Sequence, residues 1–199
     1  MSILDTGFYQ RSDVLQISRE LLGKYLFTNI DGQVTGGKIV ETEAYAHRDD
    51  QATQMHLNRR NTRTEIMFQP GGVAYVYTVY RIHRMFNIIT NQEGKPDAVL
   101  IRAVEPSVGL EVMKQRRVLT DVKRLTAGPG MLTQALNIHR EHYGISLTGE
   151  LIWLEDKNEV VEEDKIITSP RVGIDYAGDD AKLPWRFRIK NNAWVSKAK

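Results

Sequence analysis

The segment Gly37-Lys38-Ile39-Val40-Glu41-Thr42-Glu43-Ala44-Tyr45 constrains the fold more than any other. It opens apolar and ends by delivering carboxylates into a polar, basic stretch. Read as a strand, its side chains alternate between faces, so Glu41, Glu43 and Tyr45 lie on one side and Val40, Thr42 and Ala44 on the other. One face is core-like and the other acidic. Glu is seldom buried, so the ordinary reading of two alternating Glu is a solvated strand face. The 46–66 segment that follows has no clean period and is rich in Arg, Asn and Thr. It is expected to be a surface loop able to meet phosphates.

Two more strands support this sheet. Val73 to Tyr80 alternates, with Val73, Tyr75, Tyr77 and Val79 on one face, and Arg81 to Arg84 forms a polar turn before Phe86-Asn87-Ile88-Ile89-Thr90. The pattern predicts a hairpin whose basic tip carries Tyr80 and Ile82. Tyr75 reads as core, whereas Tyr80 sits among polar and basic neighbours. Ala98 to Val104 is an apolar strand interrupted by Arg102; a guanidinium there needs a partner or a task.

Around these strands, Ser12-Asp13 caps an amphipathic helix that ends near Gly23, and Asp31-Gly32 turns one strand into the next. A helix follows Glu105-Pro106, a short helical piece lies near Val122, and another helix opens at Gly128-Pro129-Gly130. That last start is ordinary punctuation that also leaves backbone N–H groups able to hold a phosphate. Residues 146–155 and 160–168 read as strands, and Trp185-Arg186-Phe187-Arg188-Ile189 alternates apolar with basic. Strands and helices follow one another without βαβ regularity. The expectation is an α+β fold: one compact domain over residues 1–199, with a curved, largely antiparallel sheet flanked by helices and a protruding hairpin.

Composition narrows the chemistry. The 199 residues, 41% hydrophobic, suit one core. No run reaches membrane-span length, and the N-terminus lacks a signal-peptide pattern, so a soluble, cytoplasmic protein is expected. Zero cysteines exclude disulfides and thiolate chemistry, and the five His show no metal-binding spacing. Neither a metal nor a cofactor is expected. Net charge is only +2, but His56, Arg59, Arg60, Arg63, Arg81, His83 and Arg84 crowd the segments around the acidic strand. Local positive charge can engage phosphates even when the sum is small.

Taken in order, the blocks ETEAY, MF before a Pro-Gly turn, YVYTVY with Asn87, IRAVEP, AGPGMLTQAL, RVGIDYAG and PWRFRI closely resemble the alkyladenine (3-methyladenine) DNA glycosylase family. The likeness runs from about Phe8 to Trp194. It implies a monofunctional glycosylase of base-excision repair that flips an alkylated or deaminated purine out of double-stranded DNA, acts as a monomer and leaves an abasic site. By that resemblance Glu43 is the general base, and Arg102 and the backbone carbonyl of Val172 help hold the attacking water. Tyr45 and Tyr77 sandwich the flipped base, Gln54 reads it, and Asn87 keeps guanine out. Tyr80 fills the gap left in the duplex, while Arg59, Arg63, Ile82, His83, Gly128 and Gly130 contact DNA. Alternation alone does not choose between Glu41 and Glu43. The chain departs from the family at Gln54, where His is usual, and at Met131, where Lys usually follows the GPG block. A protein that only binds damaged or abasic DNA and a hydrolase of an unrelated small ligand are the competing classes.

Overall fold

A computed structural model describes residues 2–58 and 64–197. Its strands are β1 (Ser2–Ile3), β2 (Tyr25–Ile30), β3 (Gln33–Tyr45), β4 (Ala74–Val79), β5 (His83–Thr90), β6 (Asp97–Val108), β7 (Ile152–Asp156), β8 (Ile166–Ser169) and β9 (Arg186–Ile189). The α-helices are α1 (Thr6–Tyr9), α2 (Val14–Glu20), α3 (Gln51–Leu57), α4 (Leu110–Arg117) and α5 (Pro129–Ala135). Short 3₁₀ turns at Arg140–His142 and Asp175–Lys182 also matter for the site.

The strands form one sheet in the order β1-β7-β2-β3-β6-β5-β4, and β9 joins it through β3 while pairing with β8. Every named pairing is antiparallel. The organising strand is β3. Its first half pairs with β2 over Gln33–Lys38, and along the same edge Glu41–Glu43 pair with β9, while β6 lines the other edge. The acidic stretch is therefore hydrogen-bonded on both sides, which fixes its backbone. Within the β3–β6 ladder Ile39 faces Val104, Glu41 faces Ala103 and Thr42 faces Ile101. Val40 and Arg102 consequently drop out of register, and such bulges commonly re-aim a side chain beside an active site.

One face of the sheet packs under α2, α4 and α5. Ile39, Ala44, Ile88, Val99 and Ile101 meet Ile17, Leu21, Met113, Leu132 and Leu136 in the main core. Burying each such side chain stabilises the fold by about 1.5–3 kcal/mol. In α2 the Asp13 carboxylate caps the helix by accepting from the Gln16 amide at 2.9 Å, and Ile17 and Leu21, four apart, point the same way into the core. Gly23 then takes a left-handed φ of 86° and releases the chain into β2.

Three expectations change. Glu41 and Glu43 are not on a solvated face, since both are fully buried. Residues 46–66 are not all loop, because α3 forms where Asp50 caps it, accepting from the Ala52 amide at 3.1 Å. The strands expected at 146–155 and 160–168 shorten to β7 and β8, and Tyr143–Leu147 instead bonds along the β4 edge. The α+β architecture, the antiparallel sheet and the β4–β5 hairpin are as the sequence indicates.

Candidate active site

On the face opposite the helices, residues paired across the ladders form a transverse row. Tyr75 lies opposite Asn87, Asn87 opposite Leu100, Leu100 opposite Glu43, and Glu43 opposite Arg186. Directly opposed residues share a face. Asn87 is thus two strands from Glu43, about 10 Å at ordinary strand spacing. Tyr45 begins the neighbouring row, opposite Ala98 and then Ile89.

The two carboxylates differ in what holds them. Oε1 of Glu41 accepts from Nε of Arg102 at 2.8 Å, Nε of Arg186 at 2.7 Å and Oγ of Ser196 at 2.9 Å, and its Oε2 accepts from the Ser196 amide at 2.6 Å. Four donors engage it, three of them on Oε1. Glu43 is engaged less fully. Its Oε1 accepts from the Val172 amide at 2.8 Å and lies 3.2 Å from an Arg102 terminal nitrogen, while Oε2 accepts only from the Tyr45 hydroxyl, at 2.9 Å. An acceptor position on Oε2 is left over. Taking a carboxylate out of water costs several kcal/mol, and here two buried arginines offset that for the pair. Burial opposes the charge of Arg102, but Glu43 and Glu41 outweigh it and raise its pKa. Burial, then the Glu43 charge and Tyr77, hold the Tyr45 hydroxyl well above its usual range, so it stays a donor.

Arg171 builds the wall next to Glu43. Its guanidinium clasps Asp50 with two bonds of 2.7 Å, donates to the Ala44 carbonyl at 2.9 Å, and lies 4.7 Å over the Tyr45 ring and 5.0 Å over that of Trp185. It thereby ties the α3 cap to the end of β3 and to Val172, its neighbour in sequence. The sequence reading missed Arg171, Arg186 and Ser196. Arg186 carried the same signal as Arg102, a cation inside an alternating apolar strand.

The remaining site residues fall as follows. Tyr77 is half-buried, 5.0 Å from Tyr75 and 5.5 Å from His56 between ring centres. His56, grouped by sequence with the basic loop, instead sits 2.7 Å from the Tyr75 hydroxyl as part of this aromatic wall. Asn87 is buried and its amide donates to the Tyr75 carbonyl at 3.3 Å. The Gln54 backbone amide donates to the Asp50 carbonyl at 3.0 Å inside α3, and its side-chain amide to the His47 carbonyl. The backbone donor is thus not free for a base in this conformation. The Val172 amide donates to Glu43.

The hairpin ends in a two-residue turn, Tyr80 at φ 51° and Arg81 at φ 62°, closed by the Ile82 amide on the Val79 carbonyl at 3.2 Å. Tyr80 is 83% exposed and Ile82 69%. His83, also exposed, stands against Gly130, where a Cβ would come within 2.7 Å of its ring. Gly130 therefore abuts the hairpin beside its turn, whereas Gly128 is near only the Met131 side chain, which is exposed. Arg59 and Arg63 lie outside the described residues. No group of side chains that could hold a metal occurs among the described residues.

A buried carboxylate with an acceptor to spare thus shares a sheet face with a wall of phenols, and the hairpin on the same sheet carries an exposed aromatic at its tip. The family model described as Methylpurine-DNA glycosylase (MPG) matches residues 7–193. Relatives named 3-methyladenine DNA glycosylase include one from Bacillus cytotoxicus, 42% identical over 96% of this chain and 97% of its own length. Another, from Clostridium acetobutylicum, is 43% identical over 95% of each chain, and one from Chlamydia felis is 42% identical over 94% of this chain and 96% of its own. The protein is a DNA glycosylase, a hydrolase of N-glycosyl bonds that acts in DNA repair. The chain belongs to the methylpurine-DNA glycosylase family.

Proposed function

We propose that this enzyme flips alkylated purines, 3-methyladenine and other methylpurines among them, out of duplex DNA and excises them, leaving an abasic site and an uncut strand. Deaminated and etheno purines such as hypoxanthine and ethenoadenine are further substrates. The observation that carries the reading is the unequal hold on the two carboxylates: Glu41 accepts from four donors, two of them arginines, whereas Glu43 accepts from the Val172 amide and the Tyr45 hydroxyl beside one arginine and keeps an acceptor on Oε2. A water bound there would give its proton to Glu43 while its oxygen attacks C1′ and the base departs with the bonding electrons. Arg102 and the Val172 amide hold the carboxylate in place, and Tyr45 stays a donor to it.

Tyr45 and Tyr77 stack on the extruded base, Asn87 opposes an exocyclic 2-amino group, and Tyr80 with Ile82 occupies the vacated stack through the minor groove. His83, Gly128 and Gly130 lie beside the backbone there. Flipping costs least for a base that already pairs or stacks poorly, which favours damaged purines. A cationic alkylpurine is also a better leaving group. For Gln54 to read the base through its amide, the first turn of α3 would have to open. No lysine stands among these residues, so no Schiff base and no strand cleavage are expected. The protein acts as a monomer in the cytoplasm, at the nucleoid.

The test is incubation with duplexes holding one 3-methyladenine, 7-methylguanine, hypoxanthine or ethenoadenine, followed by alkali. Strand scission only after alkali, at the lesion, is the expected result. Scission before alkali would remove the monofunctional reading, and no scission with tight lesion binding would favour a damage-binding protein.

A further inference from the structure

Beside the hairpin lies a recess of about 380 Å³ lined by Thr78, Arg81, Ile82, Arg84, His139, Arg140 and Glu141. Thr78 and Arg84 face each other across β4 and β5, Arg81 and Ile82 come from the turn, and the other three come from the segment after α5. That segment is firmly held. The Gly144 amide donates to the Ala74 carbonyl at 2.8 Å and the Ala74 amide to the Ile145 carbonyl at 2.8 Å, stitching it to β4. The His139 amide donates to Nδ1 of His142 at 2.8 Å, and the His139 ring lies 2.6 Å from Oδ1 of Asn137. Burial, with Arg84 adding to it, lowers the His139 pKa.

Three guanidinium groups therefore converge on one small volume with a single carboxylate. Among the described residues no carboxylate forms an ion pair with Arg81, Arg84 or Arg140, and Glu141 lies nearest to His142, at 4.0 Å. Arg81 and Arg140 are exposed and Arg84 is half-buried. Like charges so placed repel one another and favour an anion from outside the chain. The space suits a tetrahedral phosphate group, and planar guanidinium forks match its oxygens. The minor groove is only about 6 Å wide, so an element entering it brings its flanks against backbone phosphates.

We propose that this recess is a binding site for a phosphodiester of the DNA backbone, engaged as the hairpin enters the duplex. The inference rests on the reading of the hairpin as the inserting element. It assigns Arg81, Arg84 and Arg140 to affinity for DNA of any sequence, and Glu141 to limiting that affinity.

The test is duplex binding by fluorescence anisotropy across a KCl series, with one lesion duplex and one undamaged duplex. Arg140→Gln should weaken both by the same factor and reduce the slope of log K against log[salt] by about 0.9, the value for one phosphate contact. Glu141→Gln should shift affinity the other way, tightening both duplexes. A scan placing one neutral methylphosphonate at each backbone position should find a site where the substitution weakens the wild type but not Arg140→Gln. Unchanged slopes and affinities in both variants, with wild-type excision intact, would overturn the recess alone. Failure of the wild type to excise any methylpurine would instead remove the functional reading beneath it.

Discussion

Glu43 and Glu41 are two residues apart, equally buried, and chemically identical, yet they are held by different sets of donors. The difference lies in donor count, since Ser196 supplies two of the four bonds that close Glu41. Glu43→Gln is expected to lower single-turnover excision by roughly 10²-fold or more, in line with loss of a general base, while lesion binding stays within a few-fold. Glu41→Gln should show up mainly as lost stability, because an amide cannot accept from all four donors. Wild-type rates for Glu43→Gln under single-turnover conditions would disprove its role. Asn87 is the second decisive residue. It is buried and tethered to the Tyr75 carbonyl, with its side chain in the same row as Glu43. Asn87→Gly removes volume without adding attraction, so guanine excision from undamaged DNA should rise from a very low level. Discrimination measured on matched guanine and 7-methylguanine duplexes would stay unchanged if Asn87 were only structural.

At the scale of elements, the hairpin and α3 divide the work. The hairpin is stiffened by its ladder and closed by a turn in which two non-glycine residues hold positive φ. Such residues are disfavoured by about 1–2 kcal/mol each, and here that cost keeps Tyr80 and Ile82 pointing into solvent. Tyr80→Ala should weaken binding to an abasic duplex by roughly 1–3 kcal/mol, the range for one aromatic stacking contact. Tyr75→Ala, by contrast, should mostly unfold the aromatic wall, since Tyr75 is buried against Tyr77, Tyr143 and His56. Equal abasic-site affinity for wild type and Tyr80→Ala would remove the intercalating role. The α3 helix shows how tertiary context overrides composition. Arg-, Asn- and Thr-rich sequence reads as loop, but Asp50, clasped by Arg171 from 121 positions away, caps a helix there.

For the whole molecule, the site is closed by distant segments of the chain. β3 brings the carboxylates, β6 brings Arg102, β9 brings Arg186, the turn before Asp175–Lys182 brings Val172, and the final segment brings Ser196. Ser196→Pro deletes an amide that a buried carboxylate depends on. An acceptor left unpaired costs about 1–3 kcal/mol, so the urea midpoint should fall clearly, and further than in Ser196→Ala, which keeps the amide. A midpoint equal to wild type for Ser196→Pro would show that the C-terminal segment does not clamp the site. What the sequence determined by itself was local or periodic: the strands and their faces, the hairpin and its exposed tip, the capped α2, and, through blocks kept in order, the family. Arg102 was legible because a charge in an apolar strand demands a partner. Only tertiary structure decided the rest. The burial of the acidic face, the paired bulges that free Arg102, the clasp of Asp50 by Arg171, the place of His56 against Tyr75 and the four donors on Glu41 each depend on contacts between residues far apart in the chain. Periodicity reports which face a side chain takes, but it carries no information about which distant donor will meet it there.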